Sequence, residues 1–411
     1  MTSATAHDAD EDRYPEGGLQ SWSVVFGAWC AIIPSAGILN SLGVLQAWTS
    51  THQLSDYSAS SIGWIYGAFS FFLFSGGMYF GTILDSHGPL LILLPGTIGA
   101  VASLIFLSLS QEYYQIFLAF SVLGGLSFST LLVPPVAAVG HWFNERRGFA
   151  TGIVFTGGGL GGVSFPLIVL FVAPQIGFAW SIRVIALITA ILCAVSCLTI
   201  KTRLPPKKTD SFFDLKALRD IKYSSTSAAI FLVELAAAVP STYIASYALH
   251  AGIDEKLSYA MVVFLNAGAI FGRFLPGFIA DKWGRFNVMV VTCVMCAVFT
   301  LTLWLCANGL AMIISYAVLF GFWSGAAISI PPVCVSQICE IQDYGKRTGT
   351  TWAIVSIGSL IGLPIAGAII ESYNGEYTGL IIYAGMLYVA SGVAFLISRG
   401  ICAGWSVKTI F

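Results

Sequence analysis

Arg273, in the run LNAGAIFGRFLPGF, is a lone charge inside an apolar stretch. An ionised side chain at the middle of a membrane-spanning helix costs about 2.5 to 3.5 kcal/mol, so such a residue marks either a site or a structural pairing. Turned toward a cavity, a guanidinium offers planar donors to a carboxylate or enolate. Asn266 stands seven residues earlier and so projects from the same helix face. Glu234, within AAIFLVELAAAVPSTYIASYA, is the matching acidic candidate. It could carry a proton, neutralise Arg273, or sit near the inner interface. Asn40, Gln46, Ser241, Tyr243 and Tyr247 are uncharged residues suited to line a path. Arg183 reads most simply as an interfacial anchor.

Other chemistries fit less well. The spacing Gly157-x-Gly159-x-x-Gly162 matches a dinucleotide fingerprint. That fingerprint requires a preceding strand, an aqueous helix start and an acidic residue about 20 positions on. The glycines instead lie inside an apolar run, and residues 176–186 contain no carboxylate. Read at helical spacing they give Gly157-xxx-Gly161 and Gly158-xxx-Gly162, a smooth face on which another backbone can approach. Cys293-x-x-Cys296 has a redox or zinc spacing but neither a second pair nor a nearby histidine, so buried small side chains are expected rather than a metal site. No nucleophile paired with a base, phosphate loop or cofactor motif is present, and His141 reads as a loop residue. An enzyme is therefore not expected, nor a nucleic-acid binder.

The elements that must position these residues follow from composition. The chain has 411 residues, 57% hydrophobic and 9% charged, with a mean hydropathy of +0.84. That charge fraction is about a third of a soluble domain's, which places the chain in a bilayer. Spanning about 30 Å of hydrocarbon takes about 20 residues per helix. Twelve apolar runs qualify: 22–48, 61–84, 90–109, 114–139, 149–171, 179–200, 225–249, 258–280, 287–307, 311–336, 348–370 and 379–399. The expected division is an acidic cytosolic tail (1–20), six spans (21–200), a central loop (201–224) and six further spans (225–411). With both termini cytosolic, 16 of the 19 lysines and arginines fall on the inner side and one, Lys256, outside. Seven of these charges lie in the central segment, where Ser211-x-x-Asp214 and Phe212, Leu215 and Leu218 suggest a short amphipathic helix as an alternative to a plain linker.

The halves repeat one another. Gly81-x-x-x-Asp85-x-x-Gly88 recurs as Gly277-x-x-x-Asp281-x-x-Gly284 at an offset of 196, and Pro134-Pro135-Val136 recurs as Pro331-Pro332-Val333 at 197. Arg146-Arg147, opening span 5, corresponds to Lys346-Arg347, opening span 11. Matching punctuation on one membrane side implies a parallel duplication of six helices.

These features resemble the major facilitator superfamily. PEGGLQSW (15–22), NSLGVLQAW (40–48), HWFNERRGFATGI (141–153) and LNAGAIFGRFLPGFIADKWGRFN (265–287) are more narrowly similar to the monocarboxylate porter family, particularly its fungal branch. The resemblance covers about residues 15–408. It implies an all-α membrane protein with 12 transmembrane helices in two pseudo-symmetric six-helix bundles. Spans 1, 2, 4, 5, 7, 8, 10 and 11 would line a central path, and Asp85 and Asp281 would brace the inner ends with Gly81, Gly88, Arg146, Arg147, Gly277, Gly284 and Arg285. Two departures stand out: the lysine of span 1 and the aspartate one turn before the span 8 arginine, used by animal members, are here Asn40 and Ala269. The implied function is alternating-access transport of a small organic acid or acidic metabolite, with substrate contacts at Arg273, Asn266, Asn40, Tyr243 and Tyr247 and proton coupling at Glu234. Export of a secondary-metabolite product and a non-transporting nutrient receptor are the alternatives. The expected partners are a small-molecule substrate, the bilayer and protons, for a monomer in the plasma or vacuolar membrane.

Overall fold

The computed structural model describes residues 14–57, 59–203, 217–340 and 343–405; the Asp85 side chain also lies outside the described part. With no water in hydrocarbon to satisfy N–H and C=O groups, each apolar run closes its backbone bonds internally as a helix. Twelve long helices follow in order among the described residues: α1 Gly18–Thr51, α2 Ala59–His87, α3 Leu90–Leu109, α4 Tyr113–Gly140, α5 Arg147–Ile176, α6 Phe178–Thr199, α7 Ile221–His250, α8 Glu255–Trp283, α9 Arg285–Trp304, α10 Leu310–Gln337, α11 Tyr344–Ser372 and α12 Thr378–Ala403. All but α2, part of which is not described, qualify as bilayer-crossing by length and composition. The amphipathic helix expected around Ser211 and Asp214 lies outside the described residues. Its described edge, Ala217–Arg219, is a short 3-10 turn, after which the Asp220 carboxylate caps α7 by accepting from Lys222 N–H at 3.0 Å.

Within the first six helices α1 packs along α5, and within the last six α8 packs along α10; across the two sets, α2 runs along α11 and α5 along α8. Helices α3, α6, α9 and α12 turn apolar side chains outward, among them Ile98, Leu187, Val298 and Met386. Such faces are costly in water and free of cost in lipid, so these four form the outer shell.

The repeat motif has a conformational reason. Gly88 and Gly284 end α2 and α8 with φ of +80° and +96°, a region that disfavours side chains and lets the chain turn straight into the next helix. The proline repeat behaves differently in its two copies. Pro134 and Pro135 sit inside a continuous stretch of α4, whereas α10 breaks at Ile330 and restarts at Pro331. Only the second copy of the proline pair therefore breaks its helix. In α4 a π-helical stretch, Phe117–Gly124, instead widens the turn upstream.

The glycine run of α5 meets helix backbone on one side. A Cβ at Gly161 would stand 2.3 Å from the Ile33 carbonyl and 2.7 Å from Gly37 Cα on α1. No shift of a flexible side chain can relieve a clash with backbone. Gly161→Val is therefore expected to lower the melting temperature of the detergent-purified protein by about 2 °C or more, the scale of a cost of about 2 kcal/mol in a chain of 411 residues. Gly63→Ala, with nothing within 4 Å of the new methyl, should leave it nearly unchanged.

Candidate functional site

At the basic end of the molecule, α5 begins among carboxylates from both halves of the chain. Asp281 on α8 accepts from Gly148 N–H at 2.9 Å and from Phe149 N–H at 2.8 Å. Glu16, ahead of α1, accepts from the N–H groups of Asn144 and Glu145 at 2.7 Å and of Arg146 at 3.2 Å. Helix starts leave their first N–H groups unpaired and carry partial positive charge, so both contacts are favourable. Arg285 ties the same place together, 3.6 Å from Asp281 and donating to the Asn144 carbonyl at 2.6 Å. Gly277 allows this approach, since a Cβ there would lie 2.4 Å from the Gly148 carbonyl. Arg147 donates to the carbonyls of Phe143 (2.7 Å) and Gly140 (3.1 Å) and lies between the rings of Tyr14 and Tyr344. The motif residues Arg146, Arg147, Gly277, Asp281, Gly284 and Arg285 thus converge on one seal between the two six-helix sets.

His141 is buried beside this seal with both ring nitrogens lacking a hydrogen-bond partner. Burial, with the nearby Arg147 and Arg203 charges, pushes its pKa down from 6.5 to about 4. The loop residue expected from sequence is a neutral, enclosed imidazole.

Further along, Arg273 lies flat against α5, 2% exposed, and Nη1 donates to the Phe155 carbonyl at 2.8 Å. The berth is made by glycines: a Cβ at Gly158 or Gly159 would sit 2.9 or 3.2 Å from that nitrogen. Among the described residues, Nε of Arg273 has no hydrogen-bond partner and no carboxylate oxygen stands within 4.0 Å of the guanidinium. Glu234 is near enough for its charge to act on Arg273, without a direct ion pair.

Beyond Arg273, away from the basic end, a cavity of about 120 Å³ opens between the two sets of helices. Its walls come from α1 (Asn40, Gln46), α2 (Tyr66, Ser70), α7 (Glu234, Ser241), α8 (Asn266), α10 and α11 (Ser359). Asn40 donates from Nδ2 to the Gly158 carbonyl at 3.0 Å, and Asn266 donates to the Val262 carbonyl at 2.9 Å. Both amides close over Gly162, where a Cβ would stand 2.6 Å from Asn266 Oδ1 and 2.8 Å from Asn40 Cβ. Oε1 of Glu234 is inaccessible and has no hydrogen-bond partner. A stack of Phe74 on Trp352, with ring centroids 5.1 Å apart, joins α2 to α11 beside it.

Of the substrate contacts expected from sequence, Asn40 and Asn266 meet at the cavity with Glu234. Arg273 does not line it: Asn266, seven residues or about 10 Å along α8, occupies the wall. Tyr243 and Tyr247 also turn aside, donating to the carbonyls of Leu363 (3.3 Å) and Ala307 (3.4 Å). Helices α4 and α5 contribute nothing to the wall, α5 because its glycine face is covered by Asn40, Asn266 and Arg273. Arg183 donates to Ser108 at 3.2 Å and lies over the exposed Trp180 ring, as an interfacial anchor does. Tyr66, Ser70, Thr242, Ser359 and the Glu16 cap were not singled out by sequence reasoning. Hydroxyls inside spans 2 and 11 were the available signal for three of them, Tyr66, Ser70 and Ser359.

Twelve helices in a repeated six-plus-six order around a central cavity, sealed at one end by a motif loop, define a membrane transporter. The profile of the Major Facilitator Superfamily matches residues 21–340, and the chain belongs to that superfamily. It is 34% identical over 388 residues to the aspyridones efflux protein apdF of Emericella nidulans, covering 94% of this chain and 79% of that protein. It is 33% identical over 438 residues to the riboflavin transporter MCH5 of Saccharomyces cerevisiae, covering 98% and 84%. The crystal structure of the human organic anion transporter MFSD10 is similar in fold, with a TM-score of 0.74 at 14% identity, covering 92% of this chain and 100% of that one. The chain is thus a multi-pass membrane transporter and not an enzyme.

Two outcomes follow from this electrostatic arrangement. A buried cation with one hydrogen bond and no ion pair opposes the conformation that holds it, and an apolar replacement often stabilises. Arg273→Met should hold or raise the melting temperature of the purified protein while lowering flux at least ten-fold; a large drop in melting temperature would make the residue a structural brace. His141 binds a proton in the unfolded chain below pH 6.5 but in the folded one only below about 4. Stability of the wild type should therefore fall as pH drops from 6.5 to 4, by on the order of 3 kcal/mol, and His141→Gln should flatten that dependence in pH-stepped thermal unfolding.

Proposed function

We propose that the protein exports an organic metabolite by alternating access, driven by protons exchanged at Glu234. The observation that carries the reading is the cavity itself: it lies between the two helix sets, it is sealed at the basic end, and the one carboxylate among its described lining residues is Glu234. A carboxylate with an unpartnered oxygen, in a cavity that alternates between sides, can take a proton on one side and yield it on the other. The similarity to an efflux protein for a secondary metabolite favours export. Carriage in the manner of a monocarboxylate porter, with Arg273 seating the acid, has weaker support because that guanidinium is held under the Asn266 wall. By the excess of lysine and arginine at the sealed end, that end faces the cytosol, and the plasma membrane is the fitting site for an exporter. The carrier acts as a monomer in this reading, since both helix sets that wall the cavity come from one chain.

Cells lacking the carrier should retain a metabolite several-fold above cells that have it, measured by mass spectrometry. Equal retention across growth conditions tells against export. With that compound in proteoliposomes, Glu234→Gln is expected to abolish flux driven by a proton gradient while exchange without a gradient continues. Gradient-driven flux at the wild-type rate would remove Glu234 from coupling.

A further inference from the structure

The floor of the cavity is aromatic. Along α2 the described lining residues run Tyr66, Ser70 and Phe74 toward the basic end, so Phe74 is the deepest of them. Its ring stacks on Trp352 of α11, with centroids 5.1 Å apart and planes 10° from parallel. Both side chains are buried, and the pair joins one six-helix set to the other. Trp352 lies seven residues, or about 10 Å, below Ser359 of the cavity wall, just as Arg273 lies seven residues below Asn266. Two large side chains of the second set thus reach the first at one depth, Trp352 on the α2–α11 edge and Arg273 on the α5–α8 edge.

The internal repeat relates these two contacts. At the offset of 196 between α2 and α8, Gly77 corresponds to Arg273; at the offset of 200 from Arg146 to Lys346, which relates α5 to α11, Gly152 corresponds to Trp352. Each large residue faces the glycine that corresponds to the other. A Cβ at Gly152 would run into the Arg273 carbonyl, and one at Gly77 would stand 3.7 Å from Trp352 Cβ. The edges are built alike with large and small exchanged, one held by a guanidinium hydrogen bond and the other by stacked rings.

We infer that the Phe74–Trp352 stack is a lock on the α2–α11 edge, which closes the inner end of the cavity separately from the seal around Asp281. Its rings part before cargo or water passes inward. Neither ring is charged, so the lock engages by contact alone, and an aromatic pair of this geometry shifts a two-state equilibrium by about ten-fold. Loss of either ring opens the floor while the hydrogen bonds from Gly148 and Phe149 to Asp281 persist. The inference rests on the carrier reading only for the cavity's place on the path, and its test reads access alone.

Thr348 is buried four residues below Trp352 on the same face of α11, so a cysteine there reports access past the floor. Purified full-length Thr348→Cys protein in lipid nanodiscs is exposed to trimethylammonioethyl methanethiosulfonate, a cationic thiol reagent that needs a water path. Mass spectrometry follows each cysteine, with exposed Cys306 as the control for access and buried Cys193 and Cys293 as controls for unfolding. Beside the intact stack the reporter should react at least ten-fold more slowly than Cys306. Trp352→Ala or Phe74→Ala should speed it at least ten-fold with Cys193 and Cys293 still shielded, and Trp352→Phe, which keeps a ring, should not. A reporter as reactive as Cys306 beside the intact stack, one still shielded in a folded alanine variant, or one freed by Trp352→Phe as by alanine would each overturn the inference. Should Trp352→Ala expose Cys193 and Cys293, it has unfolded, and Phe74→Ala decides. Neither metabolite nor proton enters the readout, so a protein that moves nothing in liposomes would fail the carrier reading and leave the lock standing.

Discussion

The backbone of α5 touches two helices at once, and most of the molecule's geometry depends on that closeness. On one side Gly161 meets Ile33 and Gly37 of α1; on the other Gly148 meets Gly277 of α8, and Gly152 lies against the Arg273 carbonyl. In lipid, helices gain nothing from burying apolar side chains against each other, so tight packing has to come from close backbone approach. The contact to α1 lies within one set of helices and can stay fixed. The contact to α8 crosses between the sets. A surface of small residues lets the second slide or part while the first holds, which an interlocked surface of large side chains would resist.

Arg273 sits where that sliding surface meets the cavity. Its guanidinium occupies the space that Gly158 and Gly159 leave, with one hydrogen bond and an idle Nε. Alone this is an unfavourable place for a cation. A residue costly in one conformation is understandable if another uses it.

The scaffold was largely legible in the sequence, because hydrocarbon removes choices. Apolar runs of spanning length must be helices, and the limits of all twelve were expected to within several residues. The longest misses, of four or five residues, lie at the starts of α1, α7 and α11 and at the ends of α5 and α12. The site was only half legible. Residue type and heptad spacing placed Asn266 and Arg273 on one face of α8 but could not show that α5 would close over one and leave the other open. That depends on long-range packing between residues more than 100 positions apart, such as Phe155 with Arg273. Tyr243 and Tyr247 show the same gap, since their hydroxyls find carbonyls on α11 and beside α9. The glycine run was correctly read as packing, yet its second use as a guanidinium berth carried no local signature.

The start of α5 carries an internal comparison. The amides of Asn144, Glu145 and Arg146 are held by Glu16, from the same set of helices, while those of Gly148 and Phe149 are held by Asp281 from the other. Separation of the two sets strips the second pair and leaves the first three covered. Five neighbouring backbone protons therefore divide into a steady reference and a reporter, so that their relative rates of deuterium uptake record how often the seal comes undone.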